Sequence, residues 1–169
     1  MKRLLVAAFL LTCFTACEEP IPELPAETQT GANTFGCLVN GELVIPYPKH
    51  YSNKPYAVYS QLTDTLRITG YGQNNQVFEF TISRPKANQP ATIDKAAYYP
   101  WGRNQNSYYY GGDNIGEIVL TQFNLIRGVV SGTFHFVGRE YSVATGELLD
   151  PNDIVTVSLG RFDIKMNIY

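Results

Sequence analysis

The chain of 169 residues reads as all-β, a single antiparallel sandwich or barrel of about 8–10 strands that follows a cleaved N-terminal leader. Three observations carry that expectation. From Phe35 onward, apolar and polar residues alternate with period two in one segment after another, as in strands buried on one face. Between the segments stand Asn-Gly, Gly-Gly, Pro and Asx clusters, residues that turn a chain. No stretch holds a helical period long enough for a convincing helix, and no internal repeat is visible.

The first element is the leader. Met1-Lys2-Arg3 is basic, and Leu4 to Leu11 (LLVAAFLL) is an uninterrupted apolar run. The mostly apolar stretch from Leu4 to Ala16 is shorter than the roughly 20 residues of a membrane span and has the order of a secretory signal. Phe14-Thr15-Ala16-Cys17 then sets a small residue before a cysteine. It resembles a bacterial lipobox, in which the cysteine is lipidated and becomes the new N-terminus. Cys13 competes, but Thr12 before it is bulkier than the small residue usual there, so Cys17 is preferred. The resemblance implies a signal peptide over residues 1–16, a membrane partner held through lipid on Cys17, and a place at the bacterial outer membrane on its periplasmic or cell-surface side. An ordinary secreted protein cut near Ala16 is the alternative.

Residues 17–33 follow as a tether. Pro20, Pro22 and Pro25 interrupt regular structure, and such a segment extends by about 3 Å per residue. Glu18-Glu19 resembles the acidic surface-export signal of Bacteroidota lipoproteins, and a solvated acidic linker has the same composition. The leader takes Lys2 and Arg3 of the 13 basic residues and none of the 15 acids, leaving a mature net charge of about −4. That balance excludes a nucleic-acid partner, which requires a basic stripe, and gives no electrostatic hold on anionic lipid. With Cys13 removed and Cys17 lipidated, Cys37 is the one free thiol, so no internal disulfide forms. Cys37 lies between Phe35 and Leu38 and reads as a small buried hydrophobe.

The all-β domain spans 34–169. Phe35 to Val39 is a strand ending in Asn40-Gly41, the strongest short hairpin signal, and Leu43 to Ile45 returns. Tyr56 to Leu62 and Thr65 to Tyr71 are strands, the latter with Leu66 and Ile68 on one face and Thr65, Arg67 and Thr69 on the other. Val77 to Ser83 points Phe78, Phe80 and Ile82 one way and Glu79, Thr81 and Ser83 the other. Arg84 to Asn114 is irregular, with at most one helical turn at Asp94 to Ala97. Glu117 to Phe123, Val129 to Val137 (Val130, Phe134 and Phe136 inward), Ile154 to Leu159 and Phe162 to Ile168 complete the set, with a loop at Ala144 to Asp153. The apolar parity changes at Gly160, which places a β-bulge there.

The stretches ETQTGANTFGCLVNGELVIP (Glu27 to Pro46), VSGTFHFVG (Val130 to Gly138) and VSLGRFDIKM (Val157 to Met166) together resemble a family of uncharacterised small lipoproteins of Bacteroidota, known as domains of unknown function. The resemblance covers both ends of the mature chain and leaves out Tyr47 to Asn114. It implies an envelope lipoprotein with a β-rich domain and carries over no site residues.

Chemistry-bearing residues are sparse. His50 falls in a Pro/Tyr/Asn loop and His135 on the polar face of a strand, so neither joins a metal-ligating cluster. No serine sits in a nucleophile elbow. Asp150, Asn152 and Asp153, or Asp113 with Asn114, lack the rest of a calcium loop and read as turn formers. Glu79, Glu117, Glu140 and Glu147 could supply a glycosidase pair only through a separation that sequence does not give. Gly70, Gly72, Gly111 and Gly112 read as turns, with no phosphate-cradling loop before a helix. Neither a catalytic residue, a metal nor a cofactor is expected, and the chain reads as a non-enzyme.

One feature has functional colour. Tyr98, Tyr99, Trp101, Tyr108, Tyr109 and Tyr110 crowd the irregular middle, and in an extended chain neighbours in such runs cannot all face inward. These six are the expected binding residues, for a glycan or an envelope protein, because their rings offer a flat apolar face with a polar handle. The competing readings are a barrel carrying a lipophilic molecule in a dry interior, refuted by a core filled with Phe78, Phe80, Phe134, Phe136 and Phe162, and a structural envelope component.

Overall fold

A computed structural model describes residues 23–46, 54–91, 93–102, 106–111 and 116–169. The leader, Cys17, His50, Asp113 and Asn114 lie outside the described residues. Eleven strands run through the described chain: β1 Thr34–Val39, β2 Glu42–Val44, β3 Tyr56–Ser60, β4 Thr65–Tyr71, β5 Val77–Ser83, β6 Pro90–Ala91, β7 Ile93–Tyr99, β8 Ser107–Gly111, β9 Gly116–Asn124, β10 Val129–Ser142 and β11 Leu148–Ile168. The all-β class holds, with more strands than the alternation reveals.

The β10–β11 hairpin organises the sheet. The first part of β10, 129–136, pairs with β9, and its end, 139–142, pairs with β8. On the far side of β11, residues 157–163 pair with β1 and 166–168 pair in parallel with β3. The hydrogen-bonded path β3-β4-β5-β7-β8-β10-β11 therefore returns to β3, and the sheet closes on itself. One layer is β2-β1-β11-β10-β9-β6 and the other β3-β4-β5-β7-β8. They face each other across the core: Phe35 on β1 packs 5.2 Å from Phe78 on β5, and Phe80 on β5 lies 4.7 Å from Phe134 on β10. The expectation of purely antiparallel pairing is corrected at β11–β3, where the end of the chain runs alongside β3 and closes the ring.

Local chemistry explains most elements. Asn40 and Gly41 both take positive φ (49° and 85°), and Val39 pairs with Glu42 across them, the two-residue hairpin their identities favour. Nothing lies within 4 Å of a Cβ added at Gly41, so Gly41→Ala is expected to cost about 1 kcal/mol from backbone conformation alone, read as a lower urea midpoint with unchanged slope. The parity change near Gly160 is a bulge. Phe134 pairs with Gly160 and Phe136 with Val157, so Ser158 and Leu159 oppose the single residue His135. The left-handed position is Leu159 (φ 50°), one residue before the expected glycine.

Further expectations fail: Gly70 and Gly111, read as turns, lie in β4 and β8 and pair with Phe78 and Ala96. Asp94 to Ala97 is not a helical turn but part of β7, held between β5 and β8. The loop at Ala144 to Asp153 shrinks to a turn at 143–147, because Leu148 already pairs with Tyr141.

The end of the expected tether is bound to the sheet. Asp163, 1% exposed, accepts hydrogen bonds from the Thr28 hydroxyl (2.6 Å), the Thr30 amide and hydroxyl (3.0 and 3.2 Å), the Gly31 and Ala32 amides (2.8 and 3.2 Å) and the Ser131 hydroxyl (2.7 Å). Arg161 pairs with Glu27 at 3.3 Å and donates to the Pro25 carbonyl. Residues 25–33 thus form a strap across the outer face of β11. Burial pushes the Asp163 carboxyl up, but the donors of Thr28, Ser131, Ala32 and Gly31 outweigh it and hold the group well below the usual carboxylate range.

Candidate functional site

Alternation divides the six expected aromatics between two faces. Tyr98 and Tyr109 are cross-strand partners turned inward. Tyr98 is only 4% exposed, stacks on Phe78 at 4.8 Å and accepts a hydrogen bond from Gln76. Tyr109 is half-buried against the core and donates to Asp153 at 2.9 Å. Burial, then that bond, pushes the Tyr109 phenol up to about 12. Burial likewise raises Tyr98. These two rings are core, not surface. Trp101, 65% exposed in the turn after β7, makes no ring contact among the described residues.

Tyr99, Tyr108 and Tyr110 take the opposite, outer face of the second layer, Tyr99 buried at 8% exposure beneath its neighbours and Tyr108 and Tyr110 half-buried, and there the register assembles a larger array. One cross-strand row reads Tyr71, Val77, Tyr99, Tyr108, Tyr141 across β4, β5, β7, β8 and β10. Tyr99 stacks on Tyr108 at 5.4 Å with 20° between planes, and Tyr108 lies 6.1 Å from Tyr141. The adjacent row is Tyr56, Thr69, Glu79, Ala97, Tyr110, Arg139. Tyr56 meets Tyr71 at 6.4 Å at one end, and Tyr110 meets Tyr141 edge-on at 5.7 Å at the other. Thr69 and Ala97 are short and buried, so this row dips between its tyrosines.

Polar groups sit in the dip. Glu79 accepts from the Tyr99 hydroxyl at 3.3 Å and from Lys95 at 3.4 Å. A concavity of about 510 Å³ opens here, lined by Tyr56, Arg67, Thr69, Glu79, Thr81 and Lys95 among others. Stacked rings beside fixed donors and acceptors can hold a molecule with one apolar and one hydroxylated side. Tyr56, Tyr71, Tyr141, Arg67 and Lys95 carry no sequence signal of a site, and Glu79 enters only as one of four candidate carboxylates. Their shared feature is an outward position in an alternating strand, which points to one site only once the strand order is known.

The remaining candidates resolve simply. His135 is solvent-facing, opposite the Leu159 bulge on the outer face of the first layer, beside an apolar groove of about 470 Å³. Cys37 is fully buried, and burial pushes its thiol far above the ordinary range. Asp150 accepts the Asn152 amide at 2.8 Å in an Asx turn. Among the described residues no three His, Cys, Asp or Glu side chains converge as metal ligands. The interior holds Phe78, Phe80, Phe134, Phe136 and Phe162 in one cluster, the filled core that a carrier of lipophilic molecules would lack. Comparison of the chain with protein-family models, curated proteins and solved structures finds no match in any of the three.

Proposed function

We propose that the chain is a non-catalytic binding module of the bacterial envelope, anchored by lipid on Cys17 at the outer membrane, whose ligand is a glycan held on the outer tyrosine face of β4-β5-β7-β8-β10. The observation that carries this reading is the row of Tyr71, Tyr99, Tyr108 and Tyr141 beside a concavity lined by Tyr56, Arg67, Thr69, Glu79 and Lys95. Sugar rings present C–H patches and hydroxyl edges, which match phenol faces and the Glu79–Lys95–Tyr99 network respectively. Glu79 is the single carboxylate in the two tyrosine rows, whereas glycoside hydrolysis requires two; hence binding rather than cleavage. The anchor rests on Phe14-Thr15-Ala16-Cys17 and on the resemblance to Bacteroidota lipoproteins.

The test has two arms. On an immobilised oligosaccharide array, Tyr108→Ala with Tyr110→Ala is expected to weaken every wild-type signal by at least about tenfold, as loss of central aromatic anchors does, with the fold checked by circular dichroism. Retained binding refutes the face. In intact cells, Cys17→Ala is expected to release the protein from the membrane fraction; membrane retention in that variant refutes the anchor.

A further inference from the structure

The tyrosine face is electropositive on a chain whose formal net charge is −2. In register beside the two tyrosine rows runs a third, Val58, Arg67, Thr81, Lys95, and Arg139 ends the second. Among the described residues of these three rows, three cations therefore share the face with one carboxylate, Glu79, which Lys95 already engages at 3.4 Å. Arg67 is exposed, lines the 510 Å³ concavity, and makes no ion pair among the described residues. Asp94, displaced at the bulge where β7 leaves register with Ile82, borders the face where the Tyr110 hydroxyl donates to its carbonyl at 3.4 Å, and lines a second concavity with Arg84 and Lys86; counted with Glu79 it still leaves the described cations in excess.

From this placement we infer that the glycan bound here is acidic, a uronic-acid-containing oligosaccharide whose carboxylate pairs with Arg67 while its ring lies on the tyrosines. The inference rests on the proposed binding face and adds the ligand class. A guanidinium presents two parallel N–H donors that match a carboxylate bidentately, and its place at the wall of the concavity sets that carboxylate to one side of the aromatic row. A neutral sugar would leave Arg67 unused. A wholly electrostatic ligand would leave the rings unused. An acidic sugar uses both.

The experiment titrates the mature protein with galacturonate, mannuronate and glucuronate-containing oligosaccharides and with their carboxyl-reduced counterparts, which keep ring and length but lose the charge. Binding of at least one uronate series is expected to be tenfold or more tighter than that of its reduced counterpart, and to weaken between 50 and 500 mM salt as charge pairing requires. Arg67→Gln, at an exposed position, is expected to melt with wild type and to abolish the preference for uronates over their reduced counterparts; Tyr108→Ala is expected to weaken both. If reduced sugars bind as tightly as uronates and Arg67→Gln changes nothing, the acidic class is overturned and the binding face stands. If neither set binds, the glycan reading falls with it and the face is left for a protein partner.

Discussion

Replacing Asp163 with alanine is expected to destabilise the fold by about 3–5 kcal/mol, the range for removing one side of a buried charge-assisted network. The carboxylate serves the hydroxyls of Thr28, Thr30 and Ser131 and the amides of Thr30, Gly31 and Ala32. Alanine leaves the buried Gly31 amide and Ser131 hydroxyl without that acceptor, and such groups cost about 1–3 kcal/mol each when unsatisfied. The same group sets an acid limit. Its carboxyl is held below its unfolded value of about 3.9, so its stabilisation is complete above that value and is lost as pH falls through it toward the folded one. Unfolding free energy in urea is therefore expected to stay flat in this respect above about pH 5 and to decline below, and Asp163→Asn to remove that part of the decline. Amide exchange at residues 30–32 is expected to speed up in either variant. A variant with wild-type stability and protected strap amides would show that the network carries no net energy.

Phe134→Ala is the second large effect, about 3–5 kcal/mol for a fully buried aromatic. The ring packs against Phe35 at 5.4 Å, Phe80 at 4.7 Å and Phe162 at 6.2 Å, joining both layers at one point. It also occupies the place a side chain would take at its cross-strand partner: a Cβ on Gly160 would fall 2.4–2.5 Å from the ring. Gly160→Ala alone is expected to cost about 2–3 kcal/mol by overpacking. In the Phe134→Ala background the added methyl enters vacated space, so the double variant is expected to be less destabilised than the two single costs predict. Additive costs in that cycle would mean that ring and glycine do not share the space.

The sequence reveals strands where one face meets the core and the other meets water. Thr65–Tyr71 and Val77–Ser83 have the expected bounds and faces, because Leu66, Ile68, Phe78, Phe80 and Ile82 alternate with polar residues. Asp94 to Ala97 misleads because Asp, Lys and Ala suit a helix locally; hydrogen bonding on both edges, to β5 and β8, decides for strand. Asp163 and Ser131 fall between inward apolar residues of alternating strands, a position that reads as solvent-facing. Period two tells which side a residue takes and not what covers that side; here the strap does. The tyrosine face has the same origin. Tyr98 and Tyr99 had to diverge, but Tyr71 and Tyr141 join Tyr99 and Tyr108 from strands distant in sequence, and adjacency across such strands is a property of topology.

The most direct measurement is a two-dimensional NMR titration of the labelled mature protein with the uronate oligosaccharides and their reduced counterparts. Shift changes are expected to centre on Tyr71, Tyr99, Tyr108, Tyr110 and Tyr141, with Glu79 and Arg67 at the edge of the same patch. Changes centred instead on the groove between His135 and Leu159, or no change with any member of the series, would contradict the assignment of this face as the glycan-binding surface.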